Sequence, residues 1–401
     1  NDLRLTLRSD PVFLTPRTWI IDRLGANDEL SISDRDIFLN AEMLGDLRES
    51  ISGTVTLSLE ASDGTQLASV MHPVELLARN EWGGIDSMAD LLPAFVMPND
   101  PAIDRVLKAT SDVLRRAGRP DGLDGYTSGK RERVWEISSA IWSAISGFKL
   151  SYALPPASFE RVGQKVRTPS GIIEGGVATC LDTALLFAAS LAQAGLNPLV
   201  VLTQGHAFTG VWLQPIEFAT LITDEAAALR RHLDLDDLLI FETTLVTSAT
   251  SSGFSQALAA ARRQVAEGAS DRFEMVIDIR RARMQKIRPL GVTAAPRELV
   301  AAGLAPAVSE GLEAAPILPA FDVQIEGPIS EVGSRIEQWQ RKLLNLTTSN
   351  RLLHLAESAK AVRLLCPDPG ELEDLLADGK KIRIVPMPDL DVGGRDEKLY
   401  E

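Results

Sequence analysis

Cys180 heads an apolar run, in Gly175-Gly176-Val177-Ala178-Thr179-Cys180-Leu181-Asp182, and Gly205-His206-Ala207-Phe208 follows 26 positions after it. A thiol attacks a carbonyl as the thiolate, which a helix N-terminus and a neighbouring imidazole both favour. The pair therefore points to acyl chemistry through a sulfur nucleophile. That chemistry also needs an acid or amide to orient the imidazole and donors for the oxyanion. Cys180 supplies the nucleophile, and its own backbone N–H is a candidate oxyanion donor. Of His72, His206, His232 and His354, only His206 opens a strand shortly after the cysteine helix, behind a glycine that permits close approach. It is the candidate base. Glu242, in Phe241-Glu242-Thr243-Thr244, is flanked by apolar residues, where a carboxylate is costly unless partnered. It is the candidate orienting acid, with Asp236, Asp237 and Asp278 as substitutes. Asp182 reads as a first-turn partner of the helix dipole. Gln164, in Gly163-Gln164-Lys165-Val166, is a candidate amide donor to the oxyanion. Taken singly, each residue also has a plain reading: an inert core cysteine, a hydrogen-bonded core histidine, a glutamate facing solvent at a strand edge.

The elements that must position these residues follow from periodicity. Residues 1–78 read as all-β: Leu3, Leu5 and Leu7 alternate with polar residues, as do Val55, Leu57 and Leu59, and Asp63-Gly64 signals a hairpin. Two sheets packed as a small sandwich are expected. Asp100-Pro101 opens a helix that Gly118 stops, and a second helix runs near Arg131–Ser146 with Trp135 and Trp142 as core residues. Residues 155–178, rich in Pro and Gly, read as a surface loop. Leu181 to Ala194 is apolar all round, the mark of a central helix. Strands are expected at Leu199–Leu202, Phe208–Leu213, Leu238–Val246 and Phe273–Ile279, with a helix near Ser255–Glu267. This is an α+β order, helix first and then mostly sequential antiparallel strands. Residues 291–328, rich in Ala, Pro and Gly, read as a linker. Residues 329–401 read as the start of a further, mostly helical domain, with a helix over Ser334–Ser358 and a strand over Lys380–Val385.

Composition narrows the function classes. The chain has 401 residues, a formal net charge of −14, 45% apolar and 24% charged residues. Phosphate neutralisation needs clustered Lys and Arg, so direct nucleic-acid binding is not expected of so acidic a chain. The one basic cluster, Arg280-Arg281-Ala282-Arg283 with Lys286 and Arg288, reads as a solvated face beside a strand. Two cysteines make no disulfide framework, which suits a reducing cytoplasm. No apolar run approaches the roughly 18–20 residues that cross a bilayer. No zinc spacing, Walker A pattern or strand-linked GxGxxG appears, so no metal or cofactor is expected. The N-terminus carries neither an initiator Met nor the apolar core of a signal peptide, so a fragment of a longer protein is expected.

Cysteine at a helix start in Thr179-Cys180-Leu181-Asp182, a Gly-His-Ala turn into a strand and an acid on the next strand together resemble the transglutaminase-like, papain-related superfamily. A closer resemblance is to the N-terminal part of very large bacterial helicase–nuclease proteins linked to antiphage defence. It is carried by Asn80-Glu81-Trp82-Gly83-Gly84, Leu92-Pro93-Ala94-Phe95-Val96-Met97-Pro98-Asn99, Pro155-Pro156-Ala157-Ser158-Phe159-Glu160, Gly163-Gln164-Lys165-Val166-Arg167, the Cys and His motifs, Arg341-Lys342-Leu343-Leu344-Asn345-Leu346 and Asn350-Arg351-Leu352-Leu353. The resemblance implies a multidomain chain: an immunoglobulin-like sandwich over 1–78, a transglutaminase-like domain over 79–290, the linker and a further domain of unknown function. Helicase and nuclease modules would lie downstream. The superfamily usually has Trp two positions after its His, where this chain has Phe208, and Asp where it has Glu242. The expected function is a cysteine peptidase acting on a protein or isopeptide bond through Cys180, His206 and Glu242. The alternatives are an acyl transferase joining Gln and Lys, and a catalytically silent scaffold for protein interaction.

Overall fold

The computed structural model describes residues 2–25, 28–34, 36–248, 252–291 and 312–321. Chain connectivity in space divides the protein into residues 1–329 and 330–401, and every residue described here belongs to the first unit. The helix expected over Ser334–Ser358 and the strand over Lys380–Val385 lie outside the described residues.

The alternating leucines form β1 (Leu3–Asp10), which pairs antiparallel with β2 (Arg17–Ile21) on one side and β3 (Ile51–Glu60) on the other. β4 (Gln66–Leu76) turns back from β3 and completes a four-stranded sheet in the order β2-β1-β3-β4. Among the described residues this is one sheet, not the two expected for 1–78. Among its described residues the long β2–β3 connection contributes a single turn of helix, α1 (Ala41–Gly45), and an isolated bridge from Leu39 to Leu14, but no strand from which a second sheet could be built. Alternation shows that a strand has two unlike faces; it does not show what covers the apolar one.

From residue 79 the chain becomes α+β. The segment β5 (Glu81–Trp82) and α2 (Ile85–Met88) lead into α3 (Pro101–Arg116), capped by the Asp100 side chain on the Ala102 N–H with proline in its first turn. α4 (Arg131–Ser146) packs against α3 and buries both Trp135 and Trp142. Residues 155–178, read as a surface loop, instead carry a series of short elements. These are α5 (Phe159–Val162), β7 (Gln164–Lys165), α6 (Pro169–Gly175) and β8 (Val177–Ala178), preceded by β6 (Ser151–Tyr152). Their few apolar residues anchor them: Phe159, Val166 and Ile172 are buried in the main core.

At the centre lies α7 (Cys180–Gln193), whose residues from Cys180 to Leu191 are all buried. One side of it meets α3 and α4; the other meets the sheet through β9 (Pro198–Thr203) and β10 (His206–Trp212), two fully or nearly fully buried strands joined by a tight hairpin. The sheet is completed by β11 (Ile222–Thr223), β12 (Leu238–Phe241) and β13 (Phe273–Asp278), in the order β11-β13-β9-β10-β12 with every pair antiparallel. β9 and β10 are sequential neighbours and β12 lies beyond β10, while β13 returns on the far side of β9 with β11 outside it. Outside these strands lie α8 (Ala226–Asp234), α9 (Phe254–Gln264) and α10 (Ile279–Met284). Trp142, Phe187, Phe241 and Phe254 form an aromatic cluster that ties α4, α7, β12 and α9 together, with centroids 5.3–6.2 Å apart. Such clustered rings add to the apolar area they bury.

Two expectations need correction. The strand expected over Leu238–Val246 ends at Phe241, because the Glu242 side chain accepts the Thr244 N–H and caps a 3-10 turn over Thr243–Thr247. The basic cluster is not simply a solvated face. Arg281 donates to the Phe218 carbonyl, and Arg283 donates to the carbonyls of Pro93, Val96 and Ile287. Its half-buried guanidinium is held by backbone oxygens, and burial lowers its pKa. Of the expected linker, residues 312–321 are described: Ala320 bridges to Lys130, and the Leu318 N–H donates to Glu132.

Candidate active site

The Cys180 helix starts where it does because its first turn is closed on itself. Thr179 is the N-cap: its hydroxyl accepts the Asp182 N–H, and the Asp182 carboxylate accepts the Thr179 N–H at 2.9 Å. Asp182 also accepts the Arg167 backbone N–H at 2.8 Å and its guanidinium at 2.7 Å. The expected dipole partner is thus also a tie between the helix start and the 163–167 segment. Cys180 sits at the first helical position, where a backbone N–H has no intrahelical acceptor.

The β9–β10 hairpin carries His206 to the same place. Gly205, in the left-handed region at φ 69°, makes the turn, and His206 begins β10 opposite Thr203. Glu242 arrives from the end of β12, on the strand next to β10. His206 Nε2 and Glu242 Oε2 are 2.7 Å apart. The other ring nitrogen, Nδ1, is then the one left for Cys180, which is among the groups that raise the His206 pKa. Burial alone lowers the His206 pKa. The hydrogen bonds and charges of Cys180 and Glu242 outweigh it and raise the pKa to about 9. Glu242 moves the other way: burial raises its pKa, but His206 and Thr244 more than compensate, so the carboxyl is held below its ordinary value. The structure therefore brings Cys180, His206 and Glu242 together.

Three residues at this site gave no signal in the sequence. Thr244 holds the second oxygen of Glu242 through its backbone N–H at 3.0 Å and its hydroxyl at 2.7 Å. Gln264, the last residue of α9, donates its side-chain amide to Glu242 Oε2, the same oxygen that meets His206. Tyr152, on β6, is near enough for Cys180 to contribute, after burial, to raising its pKa. None of the three has a motif: Thr244 acts two residues from Glu242, while Gln264 and Tyr152 arrive through a tertiary approach.

Gln164 lies beside the helix start. Its Nε2 is 3.4 Å from the Thr179 hydroxyl, and its Oε1 is buried with no hydrogen-bond partner among the described residues. It is placed by two segments quoted above for the resemblance, Asn80–Gly84 and Gly163–Arg167, which pair as β5 and β7 with Trp82 opposite Gln164.

The substitutes for Glu242 sit elsewhere. Asp237 is bound by Arg131 at 3.1 Å, Gln214 at 2.9 Å and His232 at 2.9 Å. Asp278 accepts from Trp212, Phe218 and Arg281 as the cap of α10, and burial raises its pKa. Asp236 faces Arg262 at 3.9 Å. None reaches His206. A cleft of about 880 Å³, lined among others by Arg48, Arg79, Arg105, Lys165, Asp100 and Glu174, shares no residue with the Cys180 site and mixes both signs of charge.

The Cys180 side chain has no exposed surface, so the open crevice a substrate would use is not present in this conformation. Among the described residues, no group of three or more His, Cys, Asp and Glu is placed to hold a metal ion. No helix among them is long and apolar enough to cross a membrane.

Comparison with known proteins finds one family match, to a model described as a protein of unknown function, DUF4011, over residues 342–401. That stretch lies inside the segment read from sequence as the start of a further domain, and outside the described residues. No curated protein and no solved structure matches the chain.

Proposed function

We propose that residues 79–290 form a cysteine peptidase-type domain of transglutaminase-like character, hydrolysing an amide or isopeptide bond in a protein. The observation that carries this reading is the imidazole of His206, 2.7 Å from Glu242, with Cys180 and Glu242 together raising its pKa to about 9. At neutral pH that imidazole is protonated and provides an acid for the leaving group.

The steps follow from these positions. The Cys180 sulfur attacks the carbonyl carbon, forming the S–C bond as the carbonyl electron pair moves onto oxygen. The N–H of Cys180 and the Gln164 amide are the groups available to that oxyanion. Collapse breaks the C–N bond, and His206 gives its proton to the departing amine. Water, deprotonated by His206, then attacks the thioester and releases the acid and the free thiol. Glu242 keeps the ring in register throughout, and Gln264 and Thr244 keep Glu242 in place. An amine in place of water would make the same machinery an acyl transferase.

The resemblance supports reading the chain as the N-terminal part of a bacterial helicase-like defence protein, working in the cytoplasm with helicase and nuclease modules downstream. The complete burial of Cys180 favours a second reading, a transglutaminase-like fold kept as a scaffold for protein interaction. Iodoacetamide labelling of Cys180 across pH separates the two, with Cys366→Ser removing the other thiol. The active reading expects labelling that persists well below the ordinary thiol pKa of about 8.5 and shifts toward it in His206→Ala. A wild-type profile centred near 8.5 and unmoved by His206→Ala would remove the catalytic pair.

A further inference from the structure

We infer that Glu313 is a positioning residue for the proposed acid: from the segment 312–321 it fixes the first turn of α9, and α9 holds Glu242 by main chain and by side chain. The inference deepens the proposed reading and rests on it in taking Glu242 as the acid that orients His206.

α9 begins without a cap of its own. Its N-cap position is Gly253, which has no side chain to accept the N–H groups left free in a first turn. Glu313, 58 positions beyond Ser255, supplies the missing acceptor. Its two carboxylate oxygens lie 3.3 and 3.2 Å from the Ser255 backbone nitrogen, and Oε2 also accepts the Ser255 hydroxyl. Its charge has the sign that a helix N-terminus favours.

The turn so capped is the one that supports Glu242. The Ala257 N–H closes it on the Gly253 carbonyl at 3.2 Å, and the Ala257 carbonyl accepts the Glu242 N–H at 3.0 Å. Phe254 and Ala257 are both buried, and the Phe254 ring stands 5.3 Å from that of Phe241, the residue before Glu242. Gln264, the last residue of the helix, donates its side-chain amide to Glu242 Oε2. Glu242 is thereby attached to both ends of one helix, and its carboxylate moves when that helix moves.

The segment that carries Glu313 is itself anchored. The Leu318 N–H donates to Glu132 in the first turn of α4 at 3.3 Å, and Ala320 bridges to Lys130. Leu312, Ala315, Leu318 and Phe321 pack against buried apolar residues, with Phe321 edge-on to Tyr126 at 6.3 Å between centroids. Pro316 and Pro319 stiffen the backbone between these contacts. Glu313 is the only charged residue from 312 to 321, and it is directed at α9. Ile317, on the same segment, is fully exposed.

The test reads the His206 imidazole in the 401-residue protein, because Glu242 is among the groups that raise its pKa. NMR titration identifies the ring by its absence in His206→Gln. Glu313→Ala is expected to lower the pKa by about half a unit or more, about threefold in proton affinity, as the carboxylate of Glu242 loses its fixed position. Glu313→Gln, whose amide oxygen still accepts the Ser255 N–H, should show at most about half of that shift. Ile317→Ala should leave the pKa within about 0.2 unit of the parent. A cap of purely structural value would lower the melting temperature of Glu313→Ala and leave the His206 pKa in place, and that result overturns the inference. An equal shift in Ile317→Ala overturns it as well. If Glu313→Ala loses its cooperative melt, Ser255→Ala takes its place: a shift of about 0.3 unit is expected, and one below about 0.2 unit counts against the inference in the same way. Failure of the catalytic reading shows separately, as an alkylation midpoint that His206→Ala does not move.

Discussion

Glu242 meets His206 from beyond the end of its strand: Oε2 lies 2.7 Å from Nε2, while Oε1 takes the N–H and hydroxyl of Thr244. One carboxylate thus orients the imidazole and caps the turn that orients the carboxylate. The interaction is local on one side and remote on the other, which fixes the acid more firmly than a strand position would.

Replacing Glu242 by Gln keeps the shape and removes the charge. The His206 pKa, about 9 in the native protein, should fall toward its ordinary 6.5, because one of the two groups that outweigh burial is lost. Titration of the imidazole protons by NMR measures this directly. If the site is catalytic, turnover should fall by about 10²–10⁴-fold, the range for a mispositioned acid–base group. A pKa still near 9 in the variant would show that Glu242 contributes little.

The same pair makes stability depend on pH. His206 has a raised pKa in the folded state, so its contribution is complete below about 6.5 and is lost as pH rises through about 9. The gap between those values corresponds to roughly 3 kcal/mol at most. Urea unfolding of residues 1–329 across pH 6–10 should show this decline, and His206→Gln should flatten it. Glu242 works in the other direction: its folded pKa is lowered, so its contribution is lost as pH falls through the acid range.

Asp182, beside Cys180, is another carboxylate with several partners, and its role is structural. It is completely buried and accepts from Thr179, the Arg167 backbone and the Arg167 guanidinium. Asp182→Ala removes the carboxylate half of the capping box and leaves inward-facing N–H groups without an acceptor, at a cost of about 2–4 kcal/mol. Asp182→Asn retains an acceptor and should lose about half as much. Chemical denaturation gives both numbers. Equal losses in the two variants would mean that the charge, not the acceptor, is what matters.

How far the residues disclosed this arrangement varies with the range of the interaction. The α7 start was legible because Thr179 and Asp182 cap within one turn, and β9 and β10 because a glycine separates two apolar runs. Glu242 could be chosen as the acid from its apolar flanks, but not its turn: Leu239-Ile240-Phe241 and Leu245-Val246 read as one strand, and only the side-chain bond to Thr244 breaks it. Gln264 and Tyr152 were invisible because nothing local marks a residue whose neighbour at the site lies 22 or 28 positions away, and both arrive only through tertiary approach. The single sheet of residues 1–78 was misread for the same reason. Leu3, Leu5 and Leu7 state that one face is apolar, and only the rest of the chain decides what is laid against it.

Gly163 tests whether the Gln164 segment must lie where it does. Its φ is +84°, and an added methyl would stand 1.9 Å from the Trp82 carbonyl oxygen, a contact with backbone that no side-chain rotation relieves. Gly118 is the matched control: its φ is +67°, but nothing lies within 4 Å of an added methyl. Gly118→Ala should therefore show only the conformational cost, about 1–2 kcal/mol. Gly163→Ala should cost clearly more, because β5 and β7 must part to admit the methyl and the Trp82–Gln164 pairing opens with them. Urea unfolding compares the two losses, and hydrogen exchange at Val166, whose N–H donates to the Asn80 carbonyl at 2.7 Å, reports whether the ribbon has parted. If Gly163→Ala costs no more than Gly118→Ala and Val166 stays protected, the close approach is incidental. Gln164 would then owe its place to the Arg167–Asp182 tie alone.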